Sequence, residues 1–142
     1  MATITRAVRL AHPRAAVWAA LTDPDALADW LMPNDFVPQV GHRFTFWTDP
    51  APGFDGTVQS EVLELVAPER LVLAWVAGAV DTRVTFRLED AGEATILHLR
   101  HEGFSLRQFP VRLILGKGWR QLLTKRLPDH LARRATPPPS HP

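Results

Sequence analysis

The 142-residue chain contains no cysteine and no tyrosine. Without cysteine there is no disulfide framework, thiolate metal site or thiol nucleophile, and a reducing compartment is the natural setting. The six histidines, at 12, 42, 98, 101, 130 and 141, fall into no HxH or HExxH spacing, so the sequence offers no metal site. A GxSxG nucleophile turn and a phosphate-cradling glycine loop are also missing. No run approaches the ~20 apolar residues of a membrane helix. The N-terminus, MATITRAVRL, lacks a basic leader ahead of a long apolar stretch, so a cytoplasmic protein with no membrane contact is expected. Lysine is scarce, with only Lys117 and Lys125, and the bias towards arginine, alanine and proline hints at a high-GC bacterial genome.

Hydrophobic side chains make up 46% of the chain and charged ones 22%, which suits one domain with a core of useful size. We place that domain at residues 1–134. The tail 135–142, with three consecutive prolines and no apolar anchor, is expected to be disordered. Charge is unevenly spread: residues 1–103 hold 8 arginines against 14 acidic groups, a net −6, while residues 104–142 hold 8 basic groups against Asp129, a net +7. A basic end of this kind can dock an acidic partner. No aromatics interleave with its arginines, so nucleic acid is not expected, and a solvated helix face is the preferred reading of the charges.

The longest helical pattern lies in Gly116 to Arg134, where Trp119, Leu122, Leu123, Leu127 and Leu131 form one stripe opposite Arg120, Lys125, Arg126, Arg133 and Arg134. Pro128 predicts a kink or a break, with a short separate helix starting there. Residues 3–10 alternate around Ile4, Val8 and Leu10, interrupted by Arg6, and predict a first strand. Pro13 and Asp23-Pro24 each open a short helix, the second with Asp23 as its cap. From Asn34 to Gly103 the period becomes two, with strands predicted at 36–39, 42–48, 55–65, 70–76, 80–89 and 93–102. Short links such as Asp90-Ala91-Gly92 predict an antiparallel meander.

Taken in order, VWAALTDPDALADWL, GTVQSEVLELVAPERLVLAW, VTFRLEDAGEATILHLRHEGF and GWRQLL resemble the SRPBCC or START-like superfamily. Within it they are most similar to the small bacterial homologues of the activator of heat-shock-protein-ninety ATPase. The resemblance covers roughly residues 3–133. It implies an α+β helix-grip fold: a curved antiparallel sheet around a long C-terminal helix, two short helices after the first strand, and an apolar cavity between. The sequence departs from the pattern at Gly41, single where a glycine pair is usual, at the proline-rich WTDPAPGFDG loop, and at Pro128.

Strand alternation turns Leu71, Leu73, Trp75, Val84, Phe86, Leu88, Thr95, Leu97, Leu99 and His101 inward and Arg87, His98 and Arg100 outward. With the resemblance, the candidate ligand-binding residues are Trp30, Phe44, Phe46, Leu73, Trp75, Phe86, Leu99, His101, Phe104, Trp119 and Leu123. An apolar wall with few polar anchors fits a small hydrophobic or amphipathic ligand; the same residues fit a packed core. His101 could contact a ligand or move a proton, or be a satisfied structural group. The leading expectation is a non-enzymatic binding protein that needs no cofactor. The alternatives are a chaperone ATPase-regulating module, which the family name implies, and a cyclase-like or hydrolytic enzyme using His101. A second copy of the chain or a chaperone remains open as the partner.

Overall fold

The computed structural model describes residues 2–50 and 54–135; of the tail expected at 135–142, Ala135 ends the last helix and residues 136–142 lie outside the described ones. Strand β1 (Ala2–Leu10) leads into α1 (Arg14–Thr22) and α2 (Pro24–Trp30). Five strands follow: β2 (Arg43–Trp47), β3 (Thr57–Val66), β4 (Arg70–Ala77), β5 (Val80–Ala91) and β6 (Ala94–Phe104). A 3₁₀ turn at Leu106–Gln108 then opens α3 (Phe109–Gln121), which runs through a π turn at Leu122–Arg126 into α4 (Leu127–Ala135). The six strands form one antiparallel sheet in the order β1-β6-β5-β4-β3-β2, and together with the terminal helices they make the helix-grip fold.

The meander follows from local turn chemistry, and closure by β1 on β6 from its alternating apolar face. Ile4 pairs with His101, Val8 with Leu97 and Leu10 with Thr95. Arg6, the polar interruption in that alternation, reaches off the sheet and donates to the Gly116 carbonyl of α3 at 3.2 Å. Asp23 caps α2 by accepting from Asp25 N–H at 3.2 Å, with Pro24 in the first turn. Gly56 turns with φ +88° and its carbonyl accepts from Thr48 N–H at 2.8 Å; a Cβ there would stand 2.5 Å from the Thr48 oxygen, so no other residue fits.

Three sequence expectations are corrected. Residues 36–39 form no strand. Pro33 and Pro38 lack donors for a ladder, and this segment makes one isolated bridge, Asn34 to Phe46. Side chains do the pairing instead: Asn34 holds the Pro24 and Met32 carbonyls, and the Asp35 carboxylate accepts from Thr45 N–H at 2.7 Å, blunting the β2 edge. The terminal helix begins at Phe109 rather than 116. Its first two turns carry exposed Phe109, Val111, Leu113 and Ile114, which show no single buried stripe. At Pro128 the chain stays helical instead of breaking: the regular α pattern gives way to a π turn just before the proline, and α4 starts one residue ahead of it, at Leu127. That turn bonds Leu127 N–H to the Leu122 carbonyl, five residues back, and this wider pairing makes room for a ring that would press on a carbonyl in an α turn.

Candidate functional site

The terminal helix lies in the concave side of the sheet with Trp119, Leu123, Leu127 and Leu131 buried. All eleven candidate residues are buried, none more than 4% exposed. The aromatic ones form a connected set: Phe44 to Phe46 at 5.1 Å between ring centres, Phe46 to Trp75 at 5.5 Å, Trp75 to Trp119 at 5.5 Å and Phe86 to Trp119 at 5.9 Å. Trp30 stands apart from this set at the base of α2 and donates its indole N–H to the Ala20 carbonyl at 2.8 Å.

His101 sits at the centre of a closed polar chain. The Trp119 indole N–H donates to His101 Nδ1 at 3.0 Å, which makes Nδ1 an acceptor and puts the proton on Nε2. Nε2 lies 2.7 Å from Thr82 Oγ1, whose own hydrogen goes to the Trp75 carbonyl at 2.8 Å. Every hydrogen-bonding atom of the ring therefore has a partner inside the protein. Burial among Trp75, Phe104 and Trp119 lowers its pKa to about 4, so the ring is neutral near pH 7.

The open space lies at the edge of this core. A groove of about 330 Å³ runs between the end of α2 and the face of α3, lined by Leu31, Met32, Thr48, Trp75, Leu115, Gly118, Trp119, Gln121, Leu122 and Arg126. Of the eleven candidate residues, Trp75 and Trp119 line it; the other nine pack in the core. Glycine at 118 keeps it open, since no atom lies within 4 Å of where its Cβ would be. Arg126 stands at the rim, with one guanidinium nitrogen held by the Asp29 carbonyl at 2.9 Å.

As groove residues, sequence reasoning missed Leu31, Met32, Thr48, Leu115, Gly118, Gln121, Leu122 and Arg126. Helical spacing was the available signal: Leu115, Gly118 and Leu122 follow Val111 at steps of three and four, a second stripe beside the buried one.

Comparison with known proteins places this geometry. The sequence pattern of the family described as "Activator of Hsp90 ATPase homolog 1-like protein" matches residues 11–132. Among solved structures, protein MLL2253 from Mesorhizobium loti is similar at 30% identity and a TM-score of 0.87, over 95% of this chain and 100% of that one. Bacillus halodurans protein BH1534 is similar at 26% identity and a TM-score of 0.78, over 92% and 97%. CalU16 from Micromonospora echinospora is similar at 28% identity and a TM-score of 0.73, over 96% and 77%. Among curated proteins none matches the chain.

Proposed function

The chain belongs to the family of Activator of Hsp90 ATPase homolog 1-like proteins, and from that premise we propose that it binds a small amphipathic molecule, without turnover, in the groove beside Trp75 and Trp119. The observation that carries this reading is the groove itself: an apolar wall of Leu31, Met32, Trp75, Leu115, Trp119 and Leu122 with Thr48, Gln121 and Arg126 as its polar groups. A pocket of that composition takes an apolar body and orients it through a few polar contacts. A guanidinium is suited to a carboxylate head group. The exposed apolar side chains Val111 and Ile114 extend the same side of α3 outward from the groove. His101 supplies no chemistry in this reading, because both ring nitrogens are engaged by Trp119 and Thr82.

Gly118 provides the test. Gly118→Leu puts a side chain into open groove space and removes a glycine from a helix interior, a change worth up to ~1 kcal/mol in favour of the helix. The variant is expected to melt at or above the wild-type temperature and to lose the quenching of tryptophan fluorescence that a medium-chain fatty acid or an aryl carboxylate produces in the wild type. Arg126→Ala is expected to weaken the acid more than the matching alcohol. Unchanged binding by a folded Gly118→Leu protein would remove the groove as the site.

A further inference from the structure

The outer face of the sheet carries a second, quite different hollow of about 380 Å³, lined by Thr5, Arg6, Ala7, Arg70, Thr85, Arg87, His98, Leu99 and Arg100. Its shape follows from the strand register. One row across four strands reads Ala7, His98, Arg87, Arg70, and the next reads Thr5, Arg100, Thr85, Val72. Long cationic side chains therefore stand around the small residues Thr5, Ala7 and Thr85. Arg87 lies directly between Arg70 and His98, and like charges opposite one another on neighbouring strands destabilise a sheet.

The surroundings only partly relieve this arrangement. Arg70 meets Glu64 at 3.3 Å, His98 meets Glu89 at 2.9 Å and Arg100 meets Glu102 at 3.2 Å. The Arg87 side chain makes no hydrogen bond or ion pair among the described residues, although it sits in the middle of the row. The body that holds it, residues 1–103, carries 14 acidic groups against 8 arginines, yet no acidic side chain lines the hollow. A local arrangement that works against the fold with no gain in the fold is the mark of a functional site.

We propose that this hollow binds the phosphate group of a small phosphorylated molecule. Arg87 supplies the unengaged planar fork, Arg70 and Arg100 flank it, and the Thr5 and Thr85 hydroxyls lie on the floor as donors. The site is on the opposite face of the sheet from the groove beside Trp119 and does not depend on it.

The experiment is an amide NMR titration with inorganic phosphate, and in parallel with glycerol phosphate, against chloride at equal ionic strength. Saturable shifts at Thr85, Arg87, His98 and Arg100 are expected with either phosphate compound. Arg87→Ala is expected to weaken binding at least about tenfold, a single charge-assisted contact being of that order, while keeping or raising the melting temperature. Arg9→Ala, on the same face but outside the hollow, and Gly118→Leu are expected to bind as wild type does. A response that does not saturate, or that chloride matches, overturns the proposal, as does full phosphate binding by Arg87→Ala.

Discussion

His101 fixes the chemistry of the core through its protonation state. Its proton must be on Nε2 for Trp119 to donate to Nδ1, and adding a second proton would set two N–H groups against each other inside an apolar wall. The folded pKa of about 4 lies below the ordinary value of 6.5, so the folded state holds fewer protons between these limits. The stabilisation is therefore full above pH 6.5 and is lost as pH falls towards 4. At 1.36 kcal/mol for each pH unit, the loss should total about 3 kcal/mol. Urea unfolding of the wild type and of His101→Asn at pH 7, 5.5 and 4 checks this. Parallel stability–pH curves for the two proteins would refute it.

At the scale of elements, α4 is tied to α2 through one carboxylate. Asp29 accepts from His130 Nδ1 at 2.6 Å and from the Arg133 guanidinium, while its backbone carbonyl takes Arg126. The hydrogen bond from His130, then that from Arg133, lowers the Asp29 pKa, so this tie is fully present above the ordinary carboxylate range and is lost as pH falls below that range through the lowered value. Exposed ion pairs contribute little to global stability, within ~1 kcal/mol. Asp29→Asn should therefore leave the melting temperature close to wild type and show its effect locally, as faster hydrogen exchange in α4 with α3 unchanged. Exchange speeding up equally in both helices would mean that the two move as one unit.

Across the whole molecule, Trp119 joins the parts: it touches Trp75 on β4 and Phe86 on β5, bonds to His101 on β6 and lines the groove. Trp119→Ala should cost about 3 to 5 kcal/mol as a buried large-to-small change. Trp119→Phe should cost less, about 1 to 3 kcal/mol, because it keeps a ring and leaves only the His101 nitrogen without its donor. Chemical denaturation of both variants checks the order; since both lose the indole donor to His101, a reversed order would overturn the packing account of Trp119. Among the described residues no helix is long and apolar enough to cross a membrane.

The sequence by itself determined the strand meander, both short helices, the inward set from Leu71 to His101 and the buried stripe of the terminal helix. Each of these follows from periodicity or from turn and cap chemistry, which act over a few residues. It did not determine the break in alternation at Val62–Glu64, where the register slips by one against β4 and leaves Leu63 exposed while Leu65 takes the inner position. Nor did alternation and helical spacing register what the prolines do to the backbone: the path of residues 36–39, where ladder donors are missing, and the π turn just before Pro128. The site divides along the same line. That Trp75 and Trp119 face inward was legible from spacing; that they meet at a groove rimmed by Met32, Gln121 and Arg126 was not. A groove is the gap between elements brought together from distant parts of the chain, and only their packing leaves it open. The Arg70–Arg87–His98 row has the same origin, since alternation says only that each points outward and register alone sets them side by side.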